Sequence, residues 1–141
     1  MKDLDEPLKS ELVSLCHRAV EAQDEERYHA SNRDLYTVFE KLPEPKPEWK
    51  AYVWLLSNMG DNHFEQDEFA EAMEKFDEVF ELDPTASDNA YLCLRRGQCA
   101  LELENEGLAA DLLCKAFEIE GKEFFEGEHS KYLKFAKQAS E

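Results

Sequence analysis

The sequence predicts an all-α chain of consecutive helical hairpins, and three observations carry that expectation. In the stretch from Val53 to Pro84, apolar residues recur at helical spacing in two blocks. Trp54, Leu55, Leu56, Met59 and Phe64 mark the first, and Phe69, Ala72, Met73, Phe76, Val79 and Phe80 the second. Gly60 and Ala72 stand where bulk would hold two antiparallel helices apart, and Pro84 stops the second helix after Glu81 and Asp83. The same pattern then repeats. Tyr28, Ser31, Leu35, Val38 and Phe39 precede Phe69, Ala72, Phe76, Val79 and Phe80 by 41 residues, with Ala19 opposite Gly60. Gly97, Ala109, Leu113, Ala116 and Phe117 follow Gly60, Ala72, Phe76, Val79 and Phe80 at 37.

The length, 141 residues, suits one domain with a sizeable core. Apolar residues make up 43%, which excludes a disordered chain, and no apolar run approaches the roughly 18 residues of a membrane span. Met1 to Ser10 is polar and acidic, unlike a signal peptide, so a cytoplasmic protein is expected. Against 16 Lys and Arg stand 33 Asp and Glu, a formal net charge of -17. Direct nucleic-acid binding needs a basic stripe and is disfavoured; a cationic partner is favoured, although acidity for solubility alone explains the same charge.

In order, the first helix runs from Leu8 to about Gln23 with Leu8, Leu12, Val13, Leu15, Cys16, Ala19 and Val20 on one apolar face, Asp5 as N-cap and Pro7 in the first turn. Asp24 to Glu26 is the break, and a second helix runs from Glu26 to Leu42, closing hairpin 1 at about 8–42. Pro43, Pro45 and Pro47 make residues 43–48 a short stiff connector rather than a proline-rich ligand, and Trp49 and Tyr52 anchor the next helix. Hairpin 2 occupies about 49–84. Ser87, Asp88 or Asn89 then caps hairpin 3, about 88–121, where Gly121 implies a soft end or a helix running on through Phe124 and Phe125. A capping helix at about 130–139 turns Tyr132, Leu133 and Phe135 inward and three lysines outward.

Gly60, Ala72, Phe76 and Pro84, with Phe69, resemble the small, large and terminal-proline positions of a tetratricopeptide (TPR) repeat. The resemblance implies a right-handed α-solenoid of three TPR-like hairpins plus the C-terminal capping helix. The chain departs from that pattern at His63, where the family has an aromatic, at Val79 for alanine, at Asp67 for the loop glycine, and at Arg96 for leucine.

Nothing in the sequence points to catalysis. The histidines His17, His29, His63 and His129 form no HxxxH or HExxH pair, GxSxG and glycine-rich phosphate loops are absent, and adjacent Cys16 and His17 point about 100° apart on a helix. Cys16, Cys93, Cys99 and Cys114 form no CxxC and read as small hydrophobes. No enzyme activity, cofactor or metal centre is expected.

What remains is a surface. The TPR resemblance implies that the first helix of each hairpin lines a concave face. Its positions are Val13, Cys16, His17, Val20 and Asp24 in hairpin 1, Trp54, Ser57, Asn58, Asp61 and Glu65 in hairpin 2, and Tyr91, Leu94, Arg95, Gln98 and Glu102 in hairpin 3. Of these, Trp54, Asn58, Asp61, Glu65, Tyr91, Arg95, Gln98 and Glu102 are the candidate partner-binding residues, aromatic anchors ringed by carboxylates. Packing between hairpins is the competing role for Trp54 and Tyr91. With Arg95 the one basic residue of that face, a TPR clamp for acidic peptide termini is disfavoured.

The blocks LPEPKPEW, WLLSNMGDNHF, YLCLRRGQCALELEN and AADLLCKAFEIEGKEFFEGEHSKYLKF also resemble a group of small bacterial TPR proteins encoded beside polymorphic or contact-delivered toxins. That resemblance implies an immunity protein neutralising a basic toxin or effector domain, for which the net charge of -17 is suited. The alternative is a generic TPR adaptor or secretion chaperone that binds an extended peptide.

Overall fold

Each expected hairpin forms. The computed structural model describes residues 3–141; the first two residues of the polar amino-terminal stretch lie outside the described residues. The helices are α1 (Leu8–Asp24), α2 (Tyr28–Lys41), α3 (Ala51–Glu65), α4 (Phe69–Leu82), α5 (Ala90–Glu102), α6 (Glu106–Glu120) and α7 (Ser130–Ala139). They fall into two compact units, Met1–Leu82 with the first two hairpins, and Asp83–Glu141 with the third hairpin and α7.

In the first unit α1 pairs with α2 and α3 with α4, and the hairpins join through α2 and α3. The core is the set the periodicity marks, including Leu12, Ala19, Leu35, Val38, Leu55, Leu56, Met59, Ala72, Phe76 and Val79, all buried. Gly60 is required here for space. A Cβ built on it would lie 2.9 Å from Cε2 and Cζ of the fully buried Phe76 ring. Gly97 plays the same part in the second unit, 2.9 Å from Leu113 Cγ. Between the hairpins of the first unit lies a buried polar cluster. Asn62 Nδ2 donates to Ser31 Oγ (2.9 Å) and Asn32 Oδ1 (2.8 Å), and its Oδ1 accepts from Gln23 Nε2 (3.0 Å). Both ends of the Asn62 amide are thereby satisfied inside the core, as burial demands.

The three intra-hairpin turns share one backbone device. Arg27 N–H donates to the Ala22 carbonyl, Glu68 to His63 and Asn105 to Ala100, at 2.7 to 2.8 Å. Glu26, Asp67 and Glu104 donate three residues back, to Gln23, Phe64 and Leu101. This is the Schellman arrangement, which satisfies the orphan carbonyls at a helix C-terminus and needs a left-handed residue just beyond it. Glycine is the usual choice. Here acidic residues fill it, with φ of 60° at Glu26, 61° at Asp67 and 64° at Glu104. The second helix therefore begins at Tyr28 rather than at Glu26, because Glu26 is committed to the turn.

The other ends differ in detail from expectation. Asp5 contributes only its backbone carbonyl, to Lys9 N–H, while the Glu6 carboxylate accepts from Ser10 N–H (2.9 Å) and serves as the side-chain cap. Within the connector, Lys46 Nζ donates to the carbonyls of Phe39 (2.8 Å) and Leu42 (2.7 Å), closing the C-terminus of α2 with a cation, the sign its dipole favours. Trp49 donates its indole N–H to the Pro43 carbonyl, and buried Tyr52 donates its hydroxyl to Glu78 on α4. Burial, then that carboxylate, pushes the Tyr52 hydroxyl well above its ordinary pKa.

In the second unit Asn89 caps α5, accepting from Leu92 N–H (3.1 Å), and Asn105 caps α6, accepting from Leu108 N–H (3.3 Å). α6 does not run on through Phe124 and Phe125. Gly121, at φ 81°, ends it, and the 3-10 turn Lys122–Phe125 comes next, burying Phe125 against Phe117. α7 buries Tyr132 and exposes Lys131, Lys134 and Lys137 as its pattern predicts, but Leu133 and Phe135, expected inward, are only half-buried, and Ala136 is buried in their place. Cys93 and Cys99 are buried, whereas Cys16 and Cys114 are only half-buried; all four are free thiols.

Candidate functional site

The candidate residues lie along α3 and α5, and the two helices present them differently. On α3, Trp54 keeps 40% of its surface exposed. Asn58, one turn on, is half-buried and donates Nδ2 to the Trp54 carbonyl (2.9 Å); the Ser57 hydroxyl does the same to Val53. Asp61 is half-buried and Glu65 exposed. One helix thus carries an exposed aromatic at its start and carboxylates toward its end.

On α5 the row is folded in upon the chain's own C-terminal segment. Tyr91 is 38% exposed, with the Arg95 guanidinium 5.3 Å from its ring centroid. Arg95 itself is buried, and Gln98 is fully so. Both turn to Glu128, in the loop before α7. Its Oε1 accepts from Arg95 Nη1 (2.7 Å) and Gln98 Nε2 (2.7 Å), and Arg95 also donates to Gln98 Oε1 (2.8 Å). Glu102 accepts from the Tyr132 hydroxyl (2.7 Å) and pairs with Lys131 (2.6 Å). Burial alone would raise the pKa of Glu102, but the hydrogen bonds from Lys131 and Tyr132 outweigh it and hold the carboxyl below its ordinary range. Arg95 and Gln98, expected as surface contacts, therefore sit in an internal network that docks the C-terminal segment, and Glu102 is its third anchor. A Gln98 with no exposed surface contributes shape and rigidity rather than contact. The reason is tertiary: a buried guanidinium requires a carboxylate, and Glu128, 33 residues away, supplies it.

The equivalence of the hairpins adds one candidate residue, Val13 on α1. Val13, Trp54 and Tyr91 stand 41 and 37 residues apart, the repeat offsets, and all three are exposed, by 43%, 40% and 38%. Of the other large apolar side chains exposed among the described residues, Leu82 and Ile119 share a repeat position at the offset of 37, but hairpin 1 has Lys41 there, and Leu103 corresponds to Gln66 and Glu25. The Val13 position is the one that is apolar and exposed in all three hairpins. Val13 was available to sequence reasoning as a concave position. Its exposure was not, because its spacing is compatible with the buried stripe of α1. Glu128 and Asn62 carried no signal at all, one lying in a loop and the other standing among helix polar residues.

Comparison with protein-family models finds no match, and comparison with curated protein sequences finds none. Among solved structures, the chain is similar to the TPR domain of Sgt2 from Aspergillus fumigatus. The TM-score is 0.64 at 16% identity, covering 92% of this chain and 77% of that one. At such identity the likeness is one of fold. The all-α, TPR-like class expected from the sequence is the one observed. Among the described residues, no helix is long and apolar enough to cross a membrane.

Proposed function

We propose that this chain is a non-catalytic protein-binding module that recognises a folded, basic partner through exposed side chains on the first helices of its hairpins. The observation that carries the reading is the exposure of Val13, Trp54 and Tyr91 at one repeat position. A packing role would have buried these side chains, as it buries Leu55, Met59 and Phe76 beside them. Trp54 and Tyr91 are of the residue types that most often anchor an interface. Asp61 and Glu65, on the same helix as Trp54, and a formal net charge of -17 supply the field that draws in a cation-rich surface.

The specific reading is a stoichiometric inhibitor of a basic toxin or effector domain, an immunity protein acting by occlusion. It is supported by the sequence blocks shared in resemblance with small bacterial TPR proteins of that kind, and by the charge. Affinity-tagged protein, recovered from cells that make it and washed at low and then high salt, tests both levels. One stoichiometric basic protein retained at high salt, and lost from Trp54→Ala, supports the inhibitor. Several substoichiometric partners lost at moderate salt overturn it in favour of an adaptor for extended peptides. Equal retention by Trp54→Ala, Tyr91→Ala and Val13→Asp places the interface elsewhere and refutes the assignment of the face.

A further inference from the structure

Hairpin 2 differs from its neighbours at one place that hairpin geometry does not require. At the end of α3 and the start of α4 stand His63, Glu68 and Glu71, where hairpin 1 has Ala22, Arg27 and Ala30 and hairpin 3 has Ala100, Asn105 and Leu108. The same turn closes twice in this chain without them.

From this juxtaposition we infer that His63, Glu68 and Glu71 form a site for one divalent transition-metal ion of the zinc class. One ligand atom from each lies within 4.8 Å of the others. Bonds of about 2.0 to 2.2 Å from a nitrogen and two carboxylate oxygens to one ion would place these atoms roughly 3.4 Å apart, a closure that carboxylate rotamers provide. The backbone holds the first two ligands in register, since Glu68 N–H donates to the His63 carbonyl (2.8 Å) in the Schellman turn. Glu71 stands three residues after Glu68 and so lies on the same side of the first turn of α4.

The histidine is prepared on both of its nitrogens. Nδ1 lies 2.8 Å from Glu68 Oε1, and Nε2 lies 3.0 Å from the Tyr36 hydroxyl of α2, whose ring meets the imidazole edge-on at 72°. Without metal, a proton bridges Nδ1 and Glu68. An ion on Nδ1 would take the place of that proton, the neutral ring would carry its hydrogen on Nε2 instead, and the Tyr36 oxygen would accept it. A phenolic hydroxyl both donates and accepts, so Tyr36 stays satisfied in either state and, accepting from Nε2–H, supports the tautomer that leaves Nδ1 free to ligate. A cavity of about 330 Å³ opens beside this group, lined by His29, Asn32, Arg33, Tyr36, His63 and Glu68 among others, with room for the water that completes three protein ligands. Nitrogen with carboxylate suits zinc, cobalt and nickel over calcium or magnesium, which favour oxygen alone.

The test uses the full chain stripped with chelator and titrated with Co(II), read by its visible d–d absorption, and with Zn(II) by calorimetry. Saturation at one equivalent is expected, with His63→Ala weakening it a hundredfold or more. Glu71→Gln, an exposed change that leaves the fold intact by circular dichroism, should weaken it about tenfold. Tyr36→Phe should also cost roughly tenfold, as outer partners of ligating histidines do, while His129→Ala has no effect. Uptake without saturation at one equivalent overturns the site. So does one-equivalent binding that Glu71→Gln and His63→Ala leave unchanged.

Discussion

Replacing Glu104 by glycine should make the protein more stable, although glycine removes a side chain and loosens the unfolded chain. Glu104 holds φ 64° at the turn between α5 and α6, where its Cβ crowds the following carbonyl. For an L-residue that conformation costs about 1–2 kcal/mol, whereas glycine adopts it freely. Glycine gives back roughly 0.5–1 kcal/mol in the unfolded state. The Glu104 side chain is exposed, so little packing is lost. The net gain expected is about 0.5–1 kcal/mol, or roughly 2–5 °C in thermal midpoint for a chain of this size. Urea denaturation followed by circular dichroism measures it. Charge confounds the comparison, because removing an acid from a chain of net charge -17 relieves repulsion by itself. Glu104→Ala separates the two effects: it removes the same charge and keeps the Cβ. If the alanine variant gains as much as the glycine variant, or if glycine destabilises, the backbone argument fails. Glu26→Gly should behave alike. Asp67→Gly should gain less, since aspartate tolerates the left-handed region better than glutamate.

Three further outcomes rest on the packing. Gly60→Ala drives a Cβ to 2.9 Å from the fully buried Phe76 ring and should cost about 1–2 kcal/mol despite better helix propensity; Gly107→Ala, with nothing within 4 Å, should gain up to about 1 kcal/mol in the same urea assay. Asn62→Ala strands Ser31, Asn32 and Gln23 around an empty amide site and should cost about 2–3 kcal/mol, a loss that equilibrium unfolding would miss only if water refilled the site. Asp34 accepts two hydrogen bonds from Arg18, at 2.6 and 2.7 Å, which hold its carboxyl below the ordinary range. The folded pKa is therefore the lower one, so the pair's contribution is complete above about pH 4 and fades as the pH falls below it. Asp34→Asn should be less stable than the parent at pH 7, and the gap should narrow as the pH falls below about 4. A gap that stays constant with pH would rule out the ionic origin.

What the sequence by itself determined is what local periodicity and short-range sterics encode. The stripe through Phe69, Ala72, Phe76 and Val79, its recurrence at offsets of 41 and 37, and the pairing of Gly60 with Phe76 are facts about neighbours on a helix and across one turn. They fixed the hairpins, most of the core and the identity of α7. The tertiary structure decided which polar residues meet. Arg95 and Gln98 occupy positions that a repeat pattern assigns to a surface, yet Glu128, far along the chain, draws them inside. Tyr36 reaches His63 from another hairpin, and the ligand set with Glu68 and Glu71 spans a turn, so a search for paired histidines on one helix passes over it. Periodicity records only whether a side chain faces inward. A hydrogen bond or an ion pair depends on a particular partner, and the partner's place is set by how the helices pack.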